Sequence, residues 1–146
     1  MNKLPEILAP AGDFTCLEAA FQGGANAVYF GLGTFNMRAR SSANFKCADL
    51  PEISRRCHER GVKAYLTLNA IIYEDELKEV EELIIEAKPY VDAFIVADWG
   101  VIELCRRHGA VFYVSTQMSA SNSLAVNFLK SQGATRVVLA RECALS

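Results

Sequence analysis

Lys63-Ala64-Tyr65-Leu66-Thr67-Leu68, an amphipathic stretch from Glu74 to Lys88, and then Ala93-Phe94-Ile95-Val96 form the passage on which the fold turns. Both outer runs are almost continuously apolar, the pattern of parallel strands covered on both faces. Between them Leu77, Val80, Ile84 and Ala87 recur at helical spacing, while the intervening glutamates face water. A strand, a helix and a second strand of this kind make a βαβ crossover.

The same unit repeats outward in both directions. Glu6-Ile7-Leu8-Ala9, Ala27-Val28-Tyr29-Phe30, Phe112-Tyr113-Val114 and Val137-Val138-Leu139-Ala140 read as four more strands, giving six. Asp13 can cap a helix that ends at Gly23-Gly24, and Asp49 precedes a helix with Pro51 in its first turn that runs to Gly61. Ser121 or Asn122 opens a helix that closes at Gly133. Gly24-Ala25-Asn26-Ala27-Val28-Tyr29 echoes Gly133-Ala134-Thr135-Arg136-Val137-Val138, and His58-Glu59-Arg60-Gly61 echoes Arg107-His108-Gly109. Helix, glycine, strand, repeated, is an α/β pattern that fits either a (β/α) barrel or an open doubly wound sheet. A closed eight-stranded barrel takes roughly 250 residues, so residues 1–146 read as one partial domain, the N-terminal portion of a longer protein. The last residues, Arg141-Glu142-Cys143-Ala144-Leu145-Ser146, read as a helix barely begun.

Composition narrows the function classes. A net charge of −2 with 22% charged residues excludes a generally basic nucleic-acid binder but not a local basic patch. No apolar run reaches the roughly 18 residues of a membrane helix, and Met1-Asn2-Lys3-Leu4-Pro5 lacks a signal-peptide core. Five cysteines with no C-x-x-C pair indicate neither a disulfide framework nor a zinc site, so the expectation is a cytoplasmic protein with reduced thiols. Cys16, Cys57 and Cys105 fall within helices; Cys47 and Cys143 are expected to be more exposed.

In parallel β/α folds the loops after the strand C-termini form the site face. Gly31-Leu32-Gly33-Thr34-Phe35-Asn36 after the second strand is a partial G-x-G-x-x-G with asparagine in the third position and no helix starting at once, a weak dinucleotide fingerprint. The long loop that follows, with Arg38, Arg40 and Lys46, reads as a holder of carboxylate or phosphate, or as a solvated basic loop. The third strand ends in Thr67-Leu68-Asn69, the fourth in Ala97-Asp98, the fifth in Ser115-Thr116-Gln117 and the sixth in Arg141-Glu142. Asp98 alone reads equally as a helix cap and Arg141 with Glu142 as an ion pair, but polar groups at one level of four strands point to a ligand-facing rim. Ser115 has no G-x-S-x-G elbow, and His58 and His108 fall in the last turns of helices, at the end opposite the rim. No hydrolytic mechanism emerges from the residues.

Leu8-Ala9-Pro10-Ala11-Gly12-Asp13, Gly24 through Gly31, Thr67-Leu68-Asn69 with Glu76-Leu77, Ser115-Thr116-Gln117 and Val138-Leu139-Ala140-Arg141-Glu142 resemble peptidase family U-32, the collagenase-like proteases, in the family's order and over essentially the whole chain. The resemblance implies a TIM-like barrel, here incomplete, with about six parallel strands. It implies membership of an enzyme family that carries a protease label and includes members that hydroxylate tRNA, ribosomal RNA or ubiquinone precursors without oxygen. The RNA-modifying members use prephenate and hold an iron–sulfur cluster on four cysteines that follow the Arg-Glu motif. Those cysteines would lie beyond Ser146, so this segment itself is expected to hold no cofactor and no metal ligand.

The resulting expectation is a rim site. Arg38, Arg40 and Arg141 would hold an anionic substrate; Asn69, Ser115, Thr116 and Gln117 would supply hydrogen bonds; Asp98 or Glu142 would move protons. Expected partners are a small anionic substrate or RNA, and either a homo-oligomer or the remainder of the barrel. The alternatives are peptide-bond hydrolysis and a non-catalytic half-barrel that assembles through its bare edges.

Overall fold

The computed structural model describes residues 4–37 and 45–144. Six strands, β1 (Leu8–Pro10), β2 (Ala27–Gly31), β3 (Lys63–Leu68), β4 (Ala93–Val96), β5 (Phe112–Val114) and β6 (Arg136–Val137), pair in parallel in chain order. Five helices alternate with them: α1 (Phe14–Gln22), α2 (Leu50–Glu59), α3 (Leu77–Ala87), α4 (Trp99–Arg107) and α5 (Ser123–Ser131). A doubly wound sheet would reverse its strand order at a switch point. Here the order never reverses, and the sheet curls until Glu6, just before β1, reaches Arg136 on β6. The fold is an incomplete TIM-like barrel.

Local chemistry explains the boundaries. Asp13 caps α1 by accepting from the N–H of Cys16 at 2.7 Å, and Asn122 caps α5 by accepting from Ala125 at 3.0 Å. Asp49 precedes α2, but its carboxylate accepts from Lys46 N–H rather than from the helix. Gly24 and Gly133, the repeated glycines, both take the left-handed conformation, with φ of 75° and 98°, that turns a helix end into the next strand.

Three expected boundaries move. β1 runs one to two residues later than Glu6–Ala9, because the N–H of Ile7 is taken by the Asn26 side chain and the ladder to β2 starts at Leu8. β6 is shorter and earlier than Val137–Ala140: Val138 N–H still reaches Val114, but Ala140 N–H turns away to Ala120. Arg141 to Ala144 form a turn, closed by Cys143 N–H on the carbonyl of Ala140, rather than the start of a helix.

The outer face of the sheet carries the main core. Val28, Phe30, Leu66, Leu68, Phe94, Val96 and Val114 pack against Leu17, Ile53, Val80, Ile84, Val101 and Leu129 of the helices. Full burial of each such side chain contributes about 1.5–3 kcal/mol relative to exposure. The inner face is separate and smaller, built on Ala27, Tyr65, Ala93 and Ile95 with Tyr29 and Tyr113 against them. No helix among the described residues is long and apolar enough to cross a membrane.

Candidate active site

A cavity of about 340 Å³ opens at the C-terminal ends of the strands. Its polar wall is Asn69 after β3, Ser115, Thr116 and Gln117 after β5, and Arg141 after β6. Its floor is mostly apolar: Leu8, Tyr29, Ile95 and Val138, with Thr67 among them. Met37, at the start of the β2–α2 loop, completes the lip. Five of the residues expected from the strand-end pattern therefore share one wall. Arg38 and Arg40 lie outside the described residues.

The wall is held by short, local devices. Thr67 Oγ1 donates to the carbonyl of Phe30 at 2.9 Å, tying β3 to β2 just beneath the rim. Asn69 bridges two elements: its Oδ1 accepts from Met37 N–H at 3.2 Å, and its Nδ2 donates to Ser115 Oγ at 3.4 Å. Ser115 is buried and opens a 3₁₀ turn, Thr116–Met118, by accepting from Gln117 N–H. Arg141 is exposed, and among the described residues no carboxylate belongs to the wall. The electrostatic character is that of a cation beside neutral donors over an apolar floor, which suits an anionic group on an apolar body.

The two remaining candidates stand off this wall. Asp98 Oδ1 accepts from the N–H groups of Gly100 and Val101, at 2.8 and 3.2 Å, so this carboxylate caps α4. Glu142 is exposed beside Arg141 and is not a wall residue.

Asn36 shows why the partial glycine motif after β2 is no dinucleotide loop. Its buried Nδ2 donates to the carbonyls of Leu32 and Gly33, and its carboxamide fills the space a Cβ on Gly31 would need, within 2.5 Å. Among the described residues the next helical turn, a single 3₁₀ turn, starts at Cys47. At the loop's far end Phe45 bridges to Leu32 and packs edge-on against Phe14 and Phe30, with ring centroids 5.0 and 5.7 Å away. Lys46 is exposed.

His58 and His108 lie at the opposite end of the sheet. His58 Nε2 meets Asp92 Oδ2 at 3.0 Å, and the same oxygen accepts from the N–H of Ala64, which clamps the entry into β3. His108 meets Glu81 at 2.7 Å. Of the cysteines, Cys57 and Cys105 are buried in the outer core, and burial pushes each thiol up to about 12. Cys47 and Cys143, expected to be the more exposed, are half-buried, and Cys16, within α1, is the exposed one. Among the described residues no group of three or more His, Cys, Asp or Glu side chains is placed to hold a metal ion.

Strand-end reading named Thr67 in the end of the third strand without giving it a role, and missed Leu8, Tyr29, Met37, Ile95 and Val138. A signal was available: side chains two positions apart share a face of a strand, so Thr67 goes with Asn69, and Tyr113 with Ser115. Arginine, threonine and tyrosine on that face also contradict the uniform apolarity inferred for strands covered on both sides.

A chain-ordered parallel β/α sheet, curled around a cavity at its strand C-termini, defines a protein of the (β/α)-barrel class. The model of peptidase family U32 matches residues 12–146, and the chain belongs to that family. It is 41% identical over 138 residues to a collagenase of Porphyromonas gingivalis, an alignment that spans 94% of this chain and 33% of that protein. It is 37% identical over 148 residues to tRNA hydroxylation protein P1 of Bacillus subtilis, spanning 97% of this chain and 34% of that one. The chain thus spans about a third of the length of these relatives. A solved U32 peptidase superimposes with a TM-score of 0.75 at 10% identity, over 95% of this chain and 60% of that structure, which bears out the fold.

Proposed function

We propose that this chain supplies the ligand-binding portion of an enzyme that hydroxylates RNA without oxygen, and that an anionic co-substrate such as prephenate enters the mouth of the curled sheet. The observation that carries the reading is the wall itself: Arg141 beside Asn69, Ser115, Thr116 and Gln117, with no carboxylate among them, over an apolar floor. In this reading Arg141 holds the anion together with Arg38 and Arg40 of the β2–α2 loop. The neutral side chains orient it, and Glu142, exposed next to Arg141, is the carboxylate available to move a proton. Asp98 is assigned to its cap.

The named tRNA hydroxylation relative supports this chemistry. The named collagenase favours peptide hydrolysis instead. Against hydrolysis by a serine nucleophile stands the surrounding of Ser115, whose partners are the Asn69 amide and Gln117 N–H, with both histidines at the far end. The iron–sulfur cluster implied by the family does not fit the five cysteines here, two of which are buried in the helix-covered core; among the described residues none belongs to a group placed to hold a metal.

The free edge of β6 supports one partner. A groove of about 640 Å³ between α5 and β6, lined by Val126, Ala134, Val137 and Leu139, lies where the repeat would seat the next β/α unit. We assign it to the remainder of the barrel.

The deciding experiment uses the full-length protein, assayed in parallel for hydroxylation of unmodified tRNA with prephenate and for cleavage of denatured collagen. Hydroxylated RNA with intact collagen is expected. Collagen cleavage by a protein that leaves RNA unmodified would overturn the proposal.

A further inference from the structure

The polar half of the cavity has a fixed direction of hydrogen bonding, and the backbone sets it. Met37 N–H can only donate, so its contact with Asn69 Oδ1 decides which end of that carboxamide carries the oxygen. Nδ2 is thereby turned toward Ser115 and donates to Oγ at 3.4 Å. Gln117 N–H donates to the same Oγ, also at 3.4 Å. A hydroxyl oxygen has two lone pairs and one proton. Both lone pairs of Ser115 are engaged, and among the described residues nothing accepts its proton. The residue is 5% exposed and stands on the cavity wall, which leaves the cavity as the place where an acceptor can meet that O–H.

We infer that Ser115 is a specificity-determining donor of this site, and that Asn69 is a positioning residue that forces Ser115 to donate. Both Ser115 and Arg141 then present only protons to the ligand, so the group they read is an acceptor, a carboxylate or carbonyl oxygen, and an amine or amidine is rejected because its N–H groups would face donors. Asn69 acts on Ser115 through both polar ends: its Oδ1 is fixed by Met37 N–H and its Nδ2 then faces Ser115 Oγ. The inference rests on the mouth cavity being the ligand site, and the test separates the two.

Benzoate, benzamide and benzamidine share one shape while their polar ends run from acceptors only to donors only. Their binding to the protein is measured by titration, with chemical shifts of cavity residues locating the site. Benzoate is expected to bind tightest and benzamidine at least about tenfold weaker. Ser115→Ala weakens benzoate and benzamide by about tenfold and leaves benzamidine unchanged, a selectivity that general loosening of the loop would not give. Asn69→Asp offers Ser115 an acceptor, captures its proton and weakens neutral benzamide by a similar factor. In a Ser115→Ala background the same change adds little further loss. If benzoate binds at the cavity but ignores Ser115→Ala, the donor role is overturned and the site stands. If Asn69→Asp costs benzamide as much without Ser115 as with it, the positioning role is overturned. If none of the three shifts a cavity residue, the site itself is wrong and the inference falls with it.

Discussion

Two layers of the same inner face, one step of the strand pleat apart, differ in a way that locates function. The lower layer is Glu6, Tyr65, Tyr113 and Arg136, each two residues before a residue of the cavity or its wall: Leu8, Thr67, Ser115 and Val138. There Arg136 pairs with Glu6, and its guanidinium lies 4.5 Å from the Tyr113 ring centroid and 5.8 Å from that of Tyr65. Tyr65 donates to both Glu6 oxygens, at 3.2 and 3.3 Å, and meets Tyr113 edge-on at 5.0 Å. Arg136 beside Glu6 holds that carboxyl below the usual carboxylate range, and burial pushes the Tyr65 hydroxyl above its ordinary value. The upper layer has polar groups too, but among the described residues its cation, Arg141, makes no ion pair. Polarity inside the barrel is therefore not in itself the mark of a site. The lower layer satisfies its charges internally; the upper one leaves a cation and a hydroxyl proton for something else.

Exchanging the two arginines' fates is the sharpest test of that contrast. Arg141→Ala is expected to weaken binding of an anionic ligand by about a hundredfold, the loss of a charge-assisted contact, while stability stays within about 0.5 kcal/mol, since the side chain is exposed and packs against little. Titration of the ligand and thermal melting of the same samples check both halves. A large fall in melting temperature with unchanged binding would place Arg141 in the framework and erase the difference between the layers.

Gly31→Ala tests whether the upper layer is as tightly built as the lower. The added methyl would stand 2.5 Å from the Asn36 carboxamide, which is buried and anchored to two backbone carbonyls. A cost of about 1–3 kcal/mol is expected from overpacking. Because the obstacle is a side chain, Asn36→Ala should recover part of that loss in the double variant, although each change alone destabilises. Denaturant midpoints of the four proteins give the coupling. Additive losses would mean that the clash is relieved elsewhere and that the turn is looser than its packing implies.

Much of this was legible in the amino-acid order. β3, β4 and β5 begin and end at the expected residues, because their runs are apolar, β-branched or aromatic and bounded by polar ends or glycine. Asn69, Ser115 and Arg141 were found because parallel strands bring their C-termini to one level whatever the details of packing. Asp98 shows the limit of that rule: a residue at the right level was turned to the N–H groups of the following helix, and level alone does not say which way a side chain points. The edge strands slipped for another reason. β1 and β6 each have a ladder on one side, so a side-chain contact such as Asn26 on Ile7 decides where pairing starts. The pairing of Glu6 with Arg136, across 130 positions, had no local signal at all; it exists because the sheet curls.

That curl supplies the smallest and last of the expected effects. Glu6→Gln keeps the shape of the side chain and removes its charge, leaving Arg136 against two tyrosine rings without its carboxylate. With Arg136 part-exposed, the loss is expected to be about 1–2 kcal/mol at neutral pH. The sign of the pH dependence follows from the direction in which Glu6 is shifted. Its carboxyl titrates lower in the folded protein than in the unfolded chain, so its contribution is fully present above the unfolded value, about 4.3–4.5, and is lost as pH falls through the lowered folded value. Other depressed carboxylates, Glu52 at about 2 among them, also weaken the wild type in acid, so the informative quantity is the difference between wild type and Glu6→Gln. That difference should be constant from pH 7 down to about 5 and should shrink toward zero below it, because protonated Glu6 and glutamine are both neutral. Denaturant midpoints at a series of pH values measure it. A difference that persists unchanged in acid would mean that Glu6 stabilises through hydrogen bonds that glutamine does not reproduce and not through its charge, and the lower layer would then be no ionic tie between Glu6 and the sixth strand.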